Sequence, residues 1–223
     1  MPVAGLESID GRWLDSVEFL ETAFALLSAI KAEPSGRDEM LRLSTPRAKK
    51  MSEEILPLAA YARSLRERGQ KLELRWLGGN QAYDAEVRGE GPEIPKYLEA
   101  TIAVPDNEYL VREHISEKGF AWAAAGTSRD PATKQVESKP RAGEHSESQG
   151  ELEFLVRQAI AKKVQKDYPT DTSLIVQFRL DRCLLRDEFD EIVAALQATP
   201  ADPAQKVREV IVIEPFEYRA AKL

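Results

Sequence analysis

Sulfur and imidazole are scarce in this chain: its 223 residues include one cysteine, Cys183, and two histidines, His114 and His145. A lone cysteine excludes an internal disulfide and the cross-linked scaffold of a small secreted domain, so the expectation is a buried thiol in a reducing, cytoplasmic compartment. Two histidines, with no HExxH and no paired His/Cys spacing, give no support to a zinc site. Long apolar runs are missing too. The longest, Ala23 to Ile30, falls well short of the roughly 20 residues that cross a bilayer, so no membrane span is expected. The opening residues, MPVAGLESIDGRW, have neither a basic start nor an apolar run, and no leader is expected. GxxxxGK[ST], GxGxxG and GxSxG are all absent, which leaves NTPase, dinucleotide-binding and α/β-hydrolase chemistry unsupported. Positive charge is not in excess either: 31 Lys and Arg stand against 38 Asp and Glu, a net charge of -7. That balance argues against a general nucleic-acid coat protein but leaves room for a local basic groove.

What the chain does have is enough apolar content, 43%, to bury a full core. The pattern predicts an N-terminal helical extension over residues 1–44 and an α/β domain over 45–223. Its organising stretch is Lys71 to Val104. Leu72, Leu74 and Trp76 alternate with Glu73 and Arg75, the period of a half-buried strand. Gly78-Gly79-Asn80 then lets the chain reverse. A second strand is predicted from Ala82 to Val87 with Asp84 in its middle. A third, from Tyr97 to Val104, sets Leu98, Ala100, Ile102 and Val104 on one face and Tyr97, Glu99 and Thr101 on the other. Two carboxylates inside strands ask for a chemical reason, because aspartate is depleted there and a buried charge needs a partner.

Around these strands the spacing predicts helices. One runs from an Asp15 or Ser16 cap to about Lys31, followed by a linker to Ser44. Thr45-Pro46 opens another that reaches about Arg68, with Pro57 predicting a kink or break. Glu54 falls at the edge of its apolar stripe, where a carboxylate either reaches solvent or belongs to a site. Asp106 caps a helix from Asn107 to about Lys118 that carries His114, a surface or packing residue or else one with a role near the carboxylates, and Gly119 ends it. Phe120 to Ala125 reads as a short apolar strand or strand-like turn. Residues 127–150 are polar and aperiodic and are expected to form a flexible loop. The Ser148 to Glu151 pattern then starts a helix to about Asp167. In it Lys163 projects within the buried stripe, Lys162 points away and Lys166 lies beyond its margin; a lysine stem so placed can snorkel its head to water or serve a site. Apolar strands at Ser173–Phe178 and Val207–Ile213 flank a last helix from about Arg186 to Gln197.

Three meandering strands followed by helical crossovers imply a mixed sheet flanked by helices. This order resembles the αβββαβ core of the PD-(D/E)XK, restriction-endonuclease-like nucleases, over roughly Thr45 to Phe178. The resemblance implies that Asp84 matches the acid of the second strand and Glu99, in Glu99-Ala100-Thr101, the acid of the E-x-K motif, both holding Mg²⁺ or Mn²⁺. Glu54 would be the further acid that some members bring from the first helix. Thr101 stands where the lysine belongs; members that supply it from the following helix nominate Lys163, with Lys166 second. Nucleic acid is then the expected partner, and a homodimer the expected assembly.

Such a residue set has a chemical logic. Two hard oxygen ligands can hold a divalent ion and leave positions for water and phosphate. The ion acidifies its bound water, and an ammonium orients that water and offsets charge growing on the phosphate. A catalytically inactive binding or regulatory protein on the same scaffold, with a protein or nucleic-acid partner, is the alternative reading.

Overall fold

The computed structural model describes residues 4–91, 94–122, 126–140, 145–178, 186–199, 206–215 and 218–223, with the side chains of 145–148 and 186 left out. Cys183 lies outside the described residues, as does the side chain of His145. Seven strands form one mixed sheet: β1 (Leu14–Asp15), β2 (Leu72–Trp76), β3 (Ala85–Gly89), β4 (Tyr97–Ile102), β7 (Thr172–Gln177), β8 (Glu209–Glu214) and β9 (Arg219–Lys222), paired in that order. The pairs from β1 to β4 are antiparallel, β4–β7–β8 run parallel, and β9 returns antiparallel to β8. Parallel neighbours need crossovers. Helix α6 (His145–Lys163) provides the first and α7 (Arg186–Ala198) the second.

Alternation along the central strands divides their side chains between two cores. Ala100, Ile175, Ile211 and Ile213 face a cluster with Phe19, Ile55, Leu58 and Leu65, which come from α1 (Ser16–Ala32), a π-helical turn (Met51–Ile55) and α4 (Leu56–Glu67). Leu174, Val176, Val210 and Val212 face Val156, Ile160, Phe189 and Ile192 of α6 and α7. β7 is buried along its whole length, as its unbroken apolar run requires.

Asp15 does cap α1, its Oδ1 accepting from the amides of Val17 and Glu18 at 2.7 and 3.0 Å. The stretch predicted as a linker instead holds α2 (Gly36–Arg42). Gly36 read as a breaker, yet it opens that helix because a Cβ there would sit 1.6 Å from the Ile30 carbonyl oxygen. Residues 4–44 are packed on the sheet rather than set apart as an extension: Leu6, Ile9, Leu14 and Phe19 share one core with Trp76, and β1 pairs with β2.

The helix begun at Pro46 as α3 (Pro46–Lys50) passes into the π turn, where the Leu56 amide bonds to the Met51 carbonyl five residues back, and continues as α4. Pro57 offers no amide hydrogen and its ring crowds the carbonyl four residues earlier. The helix meets that residue by widening rather than breaking.

After α5 (Glu108–Lys118), Phe120–Trp122 form no strand, and 123–125 lie outside the described residues. The expected loop holds an antiparallel hairpin, β5 (Thr127–Arg129) with β6 (Val136–Ser138), turned through Lys134 at φ 61°. Helix α6 starts at His145, so the Ser148 to Glu151 pattern sits inside it instead of capping it.

Candidate functional site

Strands β3 and β4 pair only through Ala85↔Leu98 and Glu86↔Tyr97. Beyond Leu98 they part, while β4 stays paired to β7 on its other side as far as Ile102↔Gln177. Asp84 stands in the fork, in the bend ahead of β3 rather than in the middle of a strand as predicted. Its amide donates to the Leu98 carbonyl at 2.8 Å and its carbonyl accepts from the Leu77 amide at 2.9 Å. Its Oδ2 then accepts from the Ala100 amide at 2.8 Å, so the carboxylate supplies the bond that a further β3 residue would have given.

Glu99 points to the face opposite Leu98 and Ala100 and is 3% exposed. Two ammonium groups meet its Oε1: Lys163 at 2.7 Å and Lys166 at 3.3 Å. Lys163 is the last residue of α6, and Lys166 belongs to the turn that follows, its amide bonding to the Lys163 carbonyl at 3.0 Å. Tyr168 closes the same corner by donating its hydroxyl to the Lys163 carbonyl at 3.0 Å. Burial first, then the charges of Glu99 and Asp84, raise its pKa well above the usual phenol range and keep the hydroxyl protonated.

Glu54 lies in the π turn. It accepts from the Trp76 indole at 3.0 Å and from Lys50 Nζ at 3.1 Å, and the same ammonium lies 5.8 Å from the Trp76 ring centroid. The acid at the edge of the stripe thus looks inward, held by a fully buried tryptophan.

These acids feel one another through Asp84. Burial, followed by the charges of Glu54 and Glu99, pushes its carboxyl up to about 7, while the Ala100 amide and Lys163 pull the other way. Among the described residues no three of His, Cys, Asp and Glu form a group that could hold a metal ion by themselves. Asp84 and Glu99 remain as a pair. Mg²⁺ characteristically takes one or two carboxylates and fills its other positions with water and phosphate, so a two-acid set fits it. An acid destabilised by neighbouring acids is also one that a cation relieves.

A cleft of about 500 Å³ opens beside the fork, with Thr101, Lys163, Lys49, Tyr109, Arg112 and Lys162 in its walls. Thr101 shares the face of Glu99 and brings a hydroxyl where the E-x-K pattern has an amine. Lys162 does point away from Glu99, pairing with Asp106 at 3.0 Å. His114 is buried, with Nδ1 2.7 Å from the Phe120 carbonyl oxygen and its ring edge-on to Phe120. The sequence reading missed Tyr168 and the role of Trp76. Only the alternation that buries Trp76 opposite the helix of Glu54 hinted at the latter.

No protein-family model, no curated protein and no solved structure matches the chain. Among the described residues no helix is long and apolar enough to cross a membrane. Fold and site together define a mixed α/β protein with a seven-stranded sheet flanked by helices and a cluster of acids and lysines at a strand fork.

Proposed function

We propose that this protein is a metal-dependent phosphodiesterase acting on nucleic acid, built on the αβββαβ core of the PD-(D/E)XK nucleases. The observation that carries the reading is the Lys163 ammonium 2.7 Å from Glu99 in a corner that also contains Asp84. The order α4, β2, β3, β4, α6, β7, with β4 and β7 parallel, supports the same core. Lys163 compensates for Thr101 by bringing an amine to the acid from the crossover helix.

Asp84 and Glu99 would hold Mg²⁺ or Mn²⁺, which when bound supplies Lewis-acid character and a more acidic bound water. The chain's own groups do the rest. Lys163 positions the attacking water through its free N–H bonds and offsets charge developing on the phosphate. Lys166 adds a second positive charge at Glu99. Lys50 and the Trp76 indole hold Glu54 in place behind Asp84. Tyr168 fixes the end of α6, and with it Lys163, through the Lys163 carbonyl.

One feature favours the alternative of an inactive binding or regulatory protein: Glu99 and Glu54 are already matched by internal ammonium groups. Incubation with plasmid, single-stranded DNA and RNA in Mg²⁺ or Mn²⁺, beside Asp84→Ala and Glu99→Ala, decides between them. Cleavage by the wild type that both variants lose supports the enzyme. Equal inertness of all three, with no thermal shift from either metal, leaves the inactive scaffold.

A further inference from the structure

The cleft beside the fork differs in character from the chain around it. The protein carries a net charge of -7, yet the cleft is lined by five cationic residues, Arg42, Lys49, Arg112, Lys162 and Lys163, against three acids, Glu53, Asp106 and Glu108. Lys49 is exposed and has no ion pair among the described residues. Four of the five cations pair with acids, Arg42 with Asp38, Arg112 with Glu108, Lys162 with Asp106 and Lys163 with Glu99, so a polyanion would meet Lys49 directly and the exposed Lys162 by exchange for Asp106.

Aromatic rings accompany that charge. Tyr109 of α5 lines the cleft and is 60% exposed, although a tyrosine ring normally seeks cover. On the facing helix Phe154, also 60% exposed, lies one turn before Gln158 and two before Lys162, the i, i+4, i+8 positions of one helical face. Gln158 and Lys162 line the cleft and are 3.3 Å apart. Each flanking helix therefore presents an uncovered aromatic ring: Tyr109 in the cleft wall, one turn from Arg112 on α5, and Phe154 beyond the lining, one turn before Gln158 on α6.

Stacked duplex bases hide their faces and show only edges in the grooves, whereas unpaired bases offer their faces to aromatic side chains while the backbone follows a cationic groove. We infer that the cleft binds single-stranded nucleic acid, with Tyr109 and Phe154 stacking on unpaired bases and Lys49 and Lys162 contacting phosphates. This deepens the phosphodiesterase reading and rests on it for the chemistry at the fork, but binding is measurable without that chemistry.

The test is fluorescence anisotropy in EDTA, with a labelled oligothymidylate of about 20 nucleotides and a duplex of equal length. The single strand should bind the more tightly, and Tyr109→Ala should weaken it about tenfold while Tyr109→Phe, which keeps the ring, stays near wild type. Lys49→Gln combined with Lys162→Gln should flatten the salt dependence of binding by about two phosphate contacts. Equal or tighter binding of the duplex, an unchanged Tyr109→Ala, or displacement of the oligonucleotide by polyglutamate at matched charge would each overturn the inference. A single strand that binds as described but survives Mg²⁺ leaves this inference standing and removes the phosphodiesterase reading. Cleavage of duplex by a protein indifferent to Tyr109→Ala does the reverse.

Discussion

Lys163 and Glu99, 64 residues apart in the chain, meet with Nζ 2.7 Å from Oε1, and only 4% of the Glu99 side chain is exposed. A carboxylate so enclosed depends on its counter-charges, since removing one partner of a buried pair leaves the other uncompensated. Lys163→Met should cost about 2 kcal/mol in urea denaturation at pH 8, because Lys166 remains, and Lys163→Met with Lys166→Met should cost about 4 kcal/mol. Adding Glu99→Leu to the pair should return most of that loss.

Asp84 gives the protein a pH dependence of unusual sign. Its folded carboxyl is pushed up to about 7, so between the ordinary carboxylate range and that value the native state holds a proton the unfolded chain has released. Stability therefore falls as pH climbs through that window. Asp84→Asn keeps an acceptor for the Ala100 amide and cannot ionise. In EDTA the wild type should lose of the order of 2–4 kcal/mol more than this variant between pH 5 and pH 8.

The indole of Trp76 is fully buried and donates to Glu54 at 3.0 Å. Glu54→Ala strands that donor and should destabilise the fold by about 2 kcal/mol, whereas Glu54→Gln retains an acceptor oxygen and should cost less than about 1 kcal/mol. Both variants should also bring the Asp84 carboxyl down, because one of the charges raising it is gone. Carbonyl-region infrared titration of a labelled aspartate reads that change.

Gln177, at the end of β7, is 1% exposed, and neither its side-chain nitrogen nor its side-chain oxygen has a hydrogen-bond partner among the described residues. An unsatisfied buried amide is costly, and a side chain of similar shape without polar atoms removes the cost. Gln177→Met should raise the melting temperature, by about 1 kcal/mol in stability terms.

Alternation made β2 and β4 legible, an unbroken apolar run did the same for β7, and the helical stripes of α6 and α7 were equally readable, because each buries one face. The site residues could be named because acids interrupt those strands. Their geometry could not. That Asp84 sits in a bend follows from β3 parting from β4 after Leu98, a tertiary event with no local signal. The Lys163 contact depends on where α6 ends against β4. Helix α2 went unread because Gly36 signals a break locally, and only the Ile30 carbonyl explains its presence. Strands β1 and β9, two and four residues long, are too short to show a period.

Among the described residues no strand pairs with β4 beyond Leu98 on the β3 side, where Ala100 is buried against Asp84 and Ile102 is half-buried. Such a seam is a template on which a strand from a neighbouring molecule can knit. The Asp84 carboxyl occupies its mouth, accepting from the Ala100 amide at 2.8 Å. Asp84→Val would open the seam and line it with oil, and the expected result is scattering mass that grows with concentration, with the fold of each molecule intact by circular dichroism. The residue proposed as a metal ligand would then also keep neighbouring molecules from pairing at this seam.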